Sequence, residues 1–222
     1  MQLEAMARLV PNVAPSDRRH NTARLFHDSR QRRVGLIGGS FNPAHAGHIH
    51  MAKLAKRILR LDEVWFLVTP QNPLKPLDDM ATVEVRMDSA RTIAAHHRFI
   101  KVICPEASFR STYTYNTLNL MKKFAPKMQF TWIMGADNLA QLFAWKKWQW
   151  IKCAMPIAVI DRPSYSYTAI CAGRKLNAQR VSPPQMANRG KGQSPRKPIW
   201  CFIAGRRHHA SATALRALQR DS

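Results

Sequence analysis

The stretch VGLIGGSFNPAHAGHIHMAKLAKRIL, residues 34–59, decides the fold. Its first residues are apolar and partly β-branched, which predicts a short buried strand that ends at Gly38 and Gly39. From about Gly47 the apolar residues recur with the period of a helix, at Met51, Leu54, Ala55, Ile58 and Leu59. A strand, a glycine turn and a helix bring free backbone N–H groups and the positive end of a helix dipole to one place, where a phosphate can bind.

Two histidines, His45 and His48, stand at the entrance of this helix with Gly47 between them. Both rings can face one small volume, and the glycine lets the backbone approach a ligand without a Cβ in the way. We expect these imidazoles to be the catalytic pair and to donate hydrogen bonds to phosphate oxygens. A metal site is the rival interpretation, but no third ligand stands nearby and the spacing differs from that of zinc proteases. The glycines match neither the GxGxxG fingerprint nor a Walker A loop.

Length and composition limit the possible fold classes and locations of the chain. A chain of 222 residues with 45% hydrophobic content predicts one α/β domain. No stretch approaches 18 uninterrupted apolar residues, and the amino terminus lacks the apolar segment of a secretory signal, so we expect a cytoplasmic protein without a membrane span. The scattered cysteines predict reduced, buried thiols. They are Cys104, Cys153, Cys171 and Cys201.

The formal net charge is +22 and the pI is near 10.9. We expect residues 1–32 to form a basic, flexible extension outside the packed core, because they show no sustained period, and residues 33–222 to form the domain itself. Within the domain, residues 173–197 carry seven Lys/Arg and no Asp/Glu among Pro, Gly and polar residues, which predicts a flexible loop. A solvated extension and loop is the favoured interpretation of the charge, and contact with RNA or DNA is the alternative.

Strands and helices alternate along the rest of the chain. The predicted strands cover residues 34–37, 63–69, 99–104, 130–134, 156–160 and 199–203. Asp78 or Asp79 is the expected cap of the helix before the third strand, and Thr114 of the helix after it. This order predicts a Rossmann-like, doubly wound, mostly parallel sheet with a ligand crevice at the carboxyl ends of the strands. The polar features fall at that edge, namely His45, His48, Asn72, Lys75, residues 111–114, Asp137 and residues 211–216.

Residues 38–48, GGSFNPAHAGH, resemble the GG(S/T)FxPxHxGH signature of the nucleotidyltransferase superfamily. Residues 211–216, SATALR, resemble the family's (S/T)-rich tail element at a helix start over the β- and γ-phosphates. The resemblance implies transfer of the adenylyl group of ATP. It also implies an ATP site formed by Gly38, Gly39, Ser40, Phe41, Gly47, Asp137, Ser211, Thr213 and Arg216.

Adenylyl transfer sends an ionised phosphate of one substrate onto the α-phosphorus of ATP, and pyrophosphate leaves. Such a reaction needs alignment and neutralisation of charge rather than a strong base or a covalent nucleophile. The sequence is consistent, because it has no nucleophile elbow and no paired carboxylates for acid/base work. We expect Mg²⁺ as the cofactor, carried in on ATP with few protein ligands.

Over residues 33–218 the pattern resembles the bacterial nicotinate-mononucleotide adenylyltransferase family. The matching features are STYT at 111–114, GADNL at 135–139, Trp145, and Arg162 followed by Pro163. The resemblance implies that Trp145 stacks on the pyridine ring, that Tyr113 and Thr114 meet the substrate, and that Asp137 lies near a ribose. Asn72 and Lys75 would complete the substrate site. Trp148 and Trp150 are expected to belong to the core.

Two alternatives stay open. Phosphopantetheine adenylyltransferase shares the HxGH and tail motifs, although a flat pyridine suits the hydroxyl-rich segment and Trp145 better. A nucleic-acid-binding protein on the same fold is the alternative from a different class, motivated by the charge. The expected partners are ATP and nicotinate mononucleotide, with no membrane and with nucleic acid not expected; the sequence leaves the oligomeric state open.

Overall fold

A computed structural model describes residues 30–69, 80–105, 113–162, 165–189 and 197–205. In this part of the chain seven strands form one sheet in the order β3-β2-β1-β4-β5-β7-β6, and every pairing is parallel. The strands are β1 Arg33–Gly39, β2 Glu63–Val68, β3 Ile100–Ile103, β4 Gln129–Gly135, β5 Ile157–Ile160, β6 Gln179–Arg180 and β7 Ile199–Ile203. The helices are α1 Ala46–Leu59, α2 Val83–Ala94, α3 Thr114–Phe124, α4 Ala136–Leu142, α5 Trp148–Ala154, α6 Ser166–Lys175 and α7 Pro183–Ala187.

Helices cover both faces of the sheet, so its central strands are apolar on both sides. All six residues of β2 are buried, as expected of a parallel strand between two layers. One core cluster joins α1, α2 and α7 to one face through residues such as Leu54, Ala90 and Met186. The other cluster joins α3, α4, α5 and α6 to the opposite face through residues such as Leu118 and Leu139. The prediction of a doubly wound Rossmann-like domain is confirmed.

The strand order indicates where a ligand crevice forms in the sheet. The chain runs outward from β1 through β2 to β3 and then returns to β4 on the other side of β1. Strands β1 and β4 therefore diverge into connections on opposite faces, and a ligand crevice forms at such a switch point beyond the carboxyl ends of the strands. His45 and His48 follow β1, and Asp137 follows β4, so the two predicted groups flank this crevice.

The prediction of a flexible loop over residues 173–197 is wrong for the described residues of this range. Residues 173–175 end α6, β6 pairs with β7, and α7 follows. Helix α7 forms because Ser182 caps it: the Gln185 N–H donates to Ser182 Oγ at 3.3 Å, and the Ser182 N–H donates to the Gln185 side chain at 2.8 Å. Its Met186 and Ala187 are buried, which ties the segment to the core.

Other local predictions are also corrected. Thr82, rather than Asp78 or Asp79, caps α2 with its side chain, and Thr114 is the first residue of α3 rather than its cap. Only Cys201 is buried as predicted, because Cys153 and Cys171 are exposed on α5 and α6 and Cys104 is partly exposed. Among the described residues, no helix is long and apolar enough to cross a membrane.

Candidate active site

The glycine turn after β1 is built around the ring of Phe41. This residue has a positive φ of 49°, which is rare for a bulky side chain and costs free energy unless its surroundings hold it. The ring is buried at 2% exposure and packs on Phe66, with 5.1 Å between centroids. It also lies 4.6 Å from the ring of His48. The turn therefore holds His48 from below with an apolar surface.

The two histidines hold each other at the amino end of α1. The Gly47 N–H donates to His45 Nδ1 at 3.1 Å, and the His45 N–H donates to His48 Nδ1 at 3.2 Å. The ring centroids are 3.9 Å apart. Because each Nδ1 accepts a hydrogen bond, each neutral ring carries its proton on Nε2. Both imidazoles are thus oriented as Nε2–H donors by the backbone of one helix turn.

The environment of His48 keeps its ring neutral. Burial lowers the pKa of His48 from 6.5 to about 3, with smaller contributions from His45 and from the positive charge of Arg162. A neutral imidazole donates a hydrogen bond without adding a charge, and a ring with a lowered pKa keeps the same protonation state near neutral pH. His48 is therefore suited to contact phosphate oxygens as a fixed dipole in a site of low dielectric constant.

Asp137 and Arg162 form the opposite wall of the crevice. Arg162 Nη1 donates to Asp137 Oδ2 at 3.1 Å, and its Nη2 lies 4.0 Å from the sulfur of Met51 on α1. The second carboxylate oxygen, Asp137 Oδ1, is buried and has no hydrogen-bond partner among the described residues. A buried carboxylate oxygen normally has a partner, and a ligand that carries a hydrogen-bond donor could supply one here.

Gly135 makes this wall possible. A Cβ at Gly135 would collide with Asp137 Oδ1 and would lie 3.1 Å from Arg162 Nε. The glycine therefore lets both side chains close over the end of β4. Sequence reasoning included Asp137 and noted Arg162 only as a matching residue, because nothing in the linear pattern indicates that the two meet.

Aromatic side chains form a third part of the site. Trp145 is half-buried and meets Trp132 edge to face, with 5.9 Å between ring centroids. Tyr113 is 39% exposed, and the ammonium of Lys146 lies 4.2 Å from the centre of its ring. The Lys146 contact brings the segment before α3 next to the segment after α4. Tyr113, Thr114 and Trp145 are thereby placed on neighbouring connections at the carboxyl edge of the sheet.

Trp148 and Trp150 are partly buried and pack against the core cluster, as their assignment to the core requires. Trp150 meets Tyr115 edge to face at 5.0 Å, and Trp148 meets Phe143 at 4.9 Å. These contacts fix α5 beneath the segment that carries Trp145. They add rigidity to the aromatic part of the site.

Arg86 is a residue of the site region that sequence reasoning missed. Its side chain is 1% exposed and donates to three backbone carbonyls, those of Ser40, Thr69 and Ala81, at 2.7, 2.6 and 2.8 Å. It therefore ties the glycine turn, the end of β2 and the start of α2 together. No sequence signal separates such an arginine from a solvated one on a helix, apart from its place among the apolar positions of α2.

Five of the predicted site residues cannot be placed. Asn72 and Lys75 lie between 70 and 79, and the tail residues lie between 206 and 222, both outside the described residues. Those tail residues are Ser211, Thr213 and Arg216. The roles assigned to these side chains stay predictions.

The described residues also indicate how a metal ion could be held. They contain no group of three or more His, Cys, Asp or Glu side chains placed to hold a metal ion. Both Nδ1 atoms of the histidine pair are occupied by backbone N–H groups, so these atoms are not available as ligands. This donor set suits a divalent ion that arrives on the phosphates of a nucleotide.

Comparison with known proteins places the chain in a family. The cytidylyltransferase-like family model matches residues 36–218. "Probable nicotinate-nucleotide adenylyltransferase" of Methylorubrum extorquens (strain PA1) is 43% identical over 189 residues, which are 83% of this chain and 98% of that protein. A protein of the same name from Brucella suis biovar 1 is 42% identical over 188 residues, which are 84% of this chain and 95% of that protein.

A solved structure shows the same fold. The nicotinic acid mononucleotide adenylyltransferase of Plasmodium falciparum, in complex with NaAD, superimposes with a TM-score of 0.63 at 15% identity, over 84% of this chain and 83% of that one. The chain belongs to the cytidylyltransferase-like family and, within it, to the nicotinate-nucleotide adenylyltransferases.

Proposed function

We propose that this chain transfers the adenylyl group of ATP to nicotinate mononucleotide, giving nicotinate adenine dinucleotide and pyrophosphate in NAD biosynthesis. The observation that carries the proposal is the pair of Nε2–H donors at the amino end of α1, in a chain that matches 98% of the length of a relative with this name. The reaction forms a bond between a phosphate oxygen of the mononucleotide and the α-phosphorus of ATP, and breaks the bond from that phosphorus to the bridging oxygen of pyrophosphate.

The geometry supports catalysis by positioning and by electrostatic stabilisation. The attacking phosphate is already ionised at neutral pH, so the reaction needs no general base. In this proposal the Nε2–H groups of His45 and His48, together with the positive end of the α1 dipole, stabilise the negative charge that builds up on the phosphorus oxygens. In this proposal Mg²⁺ enters with ATP and neutralises part of the phosphate charge, as it does in many enzymes that act on nucleotides.

The site residues divide into two sets in the proposal. ATP is bound by Gly38, Gly39, Ser40, Phe41, Gly47, Asp137, Ser211, Thr213 and Arg216. Nicotinate mononucleotide is bound by Asn72, Lys75, Tyr113, Thr114 and Trp145. The buried Oδ1 of Asp137, which has no hydrogen-bond partner among the described residues, supports a ribose contact, and the half-buried Trp145 ring supports stacking on a pyridine. A cytoplasmic location, where ATP is available, is part of the same proposal.

A substrate panel tests the proposal. The full-length protein is incubated with Mg-ATP and, in separate reactions, nicotinate mononucleotide, nicotinamide mononucleotide or phosphopantetheine, and pyrophosphate release is followed. Pyrophosphate with the nicotinate substrate, together with nicotinate adenine dinucleotide in equal amount, is the expected result. Release only with phosphopantetheine would replace the proposal by its rival within the superfamily, and release with none of the three would refute it.

A further inference from the structure

A basic groove lies at the other end of α1, away from the histidines. Three of its cations stand at positions i, i+3 and i+4 of α1, the fourth is the residue that caps the helix end, and Leu61 and Phe99 complete the lining. The cations are Lys53, Lys56, Arg57 and Arg60. The groove has a volume of about 370 Å³, and no carboxylate is among its lining side chains.

Three of these four cations have no hydrogen-bond or ion-pair partner among the described residues. Lys56 Nζ donates to the carbonyls of Leu61 and Asp62, at 2.9 and 3.4 Å, and so caps the end of the helix. The side chains of Lys53, Arg57 and Arg60 are exposed, and none forms a hydrogen bond or ion pair with any described residue.

The neighbouring carboxylates are already engaged. Asp62 Oδ2 accepts the Arg33 N–H at 2.7 Å. Glu63 is paired with Arg32 and accepts the indole N–H of Trp65. The positive charge of the groove is therefore offset only in part among the described residues, because Asp62 keeps its own charge when it accepts a backbone N–H. It is felt by its neighbours: after burial, Lys53 contributes to the lowered pKa of His97.

The helix dipole does not account for the whole stripe. Cations within the last turn of a helix are stabilised by its carboxyl end, which explains Lys56 and Arg57. Lys53 lies more than a turn before the end at Leu59, where this effect has faded. A stripe from Lys53 to Arg60 is about 10 Å long at the rise of an α-helix. Along one nucleic-acid strand that length covers about three phosphates.

We propose that the basic groove binds the phosphate backbone of nucleic acid, as a second function beside nucleotidyl transfer. A small phosphorylated metabolite would need rigid, buried polar groups, whereas these cations are exposed and flexible. A lipid surface is bound firmly when exposed apolar side chains insert beside the cations. Those that the described residues offer, Val85, Tyr113 and Tyr165, do not line the groove. Binding through phosphates alone carries no sequence preference.

The groove lies on the carboxyl half of α1, away from the turn that carries the histidines. Lys53 and Arg60 follow His48 by about 8 and about 18 Å along the axis, at the rise of an α-helix. Nucleic acid in the groove would leave the crevice open to ATP. The proposed second function is thus compatible with catalysis and does not depend on which substrate the crevice takes.

The test compares charge-removal variants of the full-length protein. Fluorescence anisotropy with a short labelled single-stranded RNA is measured from about 50 to about 200 mM salt for the parent and for K53Q/R57Q/R60Q. We expect the triple variant to bind about tenfold more weakly and the slope of log affinity against log salt to fall by about 2 units, since each lost contact removes about 0.7. Pyrophosphate release from Mg-ATP in the presence of nicotinate mononucleotide should stay at the parental rate.

Two control variants make the result specific. K123Q/K127Q/R174Q removes three exposed cations elsewhere on the surface and should bind RNA like the parent. K53R/R57K/R60K keeps the charge and should also bind like the parent; K53Q alone serves if the triple variant loses its circular-dichroism spectrum. Equal weakening in the two charge-removal triples, no binding of RNA by the parent, or binding of anionic vesicles in its place would each overturn the proposal.

Discussion

The two ends of α1 are proposed to meet phosphate in opposite ways. At the amino end, the rings of His45 and His48 are oriented as neutral Nε2–H donors by backbone hydrogen bonds, and His45 is buried. At the carboxyl end, Lys53, Arg57 and Arg60 are charged, exposed and unpaired among the described residues. Fixed dipoles in a dry site stabilise a particular arrangement of charge, whereas mobile cations in water attract any polyanion and are screened by salt. The first arrangement suits catalysis, and the second suits binding without discrimination.

The largest expected effect is discrimination between two pyridines by the crevice. We expect kcat/KM for nicotinate mononucleotide to exceed that for nicotinamide mononucleotide by roughly 10² to 10⁴. The segments around Tyr113 and Trp145 offer N–H donors and the ammonium of Lys146 but no acidic side chain, so a carboxylate gains hydrogen bonds that a carboxamide NH₂ does not. Steady-state kinetics with both substrates under identical Mg-ATP measures the ratio. Equal values, or a preference for the amide, would show that the crevice discriminates no better than the groove.

The next effect concerns the fixed dipole itself. His48→Ala should lower kcat by about 10² or more, the cost of losing one preorganised donor, with little change in the melting temperature. His96→Ala is the matched control, because His96 is exposed and lies away from the turn. Single-turnover kinetics with Mg-ATP and nicotinate mononucleotide separate chemistry from product release. Turnover within twofold of the parent would remove His48 from the catalytic role.

Much of this contrast is visible in the sequence, and the missing parts have physical reasons. The glycine turn and the apolar strands predict the doubly wound sheet, because their periods are strong and local. Strand β6 was missed because Gln179 and Arg180 are polar and exposed, so only their pairing with β7 identifies them as a strand. Arg86 was missed because its partners are backbone carbonyls from three separate loops.

The sequence shows the total positive charge of the chain, but it predicted only some of the segments where that charge is concentrated. The sequence directed attention to residues 1–32 and 173–197, where basic residues are dense. The stripe from Lys53 to Arg60 alternates with the apolar positions of α1, so it reads as the ordinary polar face of an amphipathic helix. It differs from such a face because Lys53, Arg57 and Arg60 form no ion pair with any described residue, and only coordinates can show this.

A third effect uses pH to probe how dry the crevice is. The pKa of His48 is about 3 in the folded protein and 6.5 in the unfolded chain, so below pH 6.5 the unfolded chain takes up a proton that the folded protein does not. This contribution to stability is present above about pH 6.5 and is lost as the pH falls toward 3. Between about pH 6.5 and 4.5 the loss amounts to about 2 kcal/mol.

Urea denaturation at both pH values, for the parent and for His48→Asn, measures the effect. The parent should lose about 2 kcal/mol more than the variant over this interval, because the variant lacks the titrating ring and shares the other ionisable groups. The same pH dependence in both proteins would mean that His48 is solvated in the folded state. That outcome would make the two ends of α1 alike.

The smallest effect tests the point where the crevice resembles the groove. Lys146 is an exposed cation, and its ammonium lies 4.2 Å from the centre of the Tyr113 ring, next to the proposed site of the pyridine carboxylate. An exposed charge of this kind contributes about 0.5 to 1 kcal/mol, so Lys146→Gln should lower kcat/KM for nicotinate mononucleotide by about threefold and leave that for the amide unchanged. Raising the salt concentration should shrink the difference, as for the cations of the groove.

Lys147→Gln is the matched control, because the Lys147 ammonium lies over the Tyr115 ring instead, 4.4 Å from its centre. An equal loss for both mononucleotides would assign Lys146 to packing on Tyr113, and selectivity for the acid would then rest on the fixed backbone donors alone.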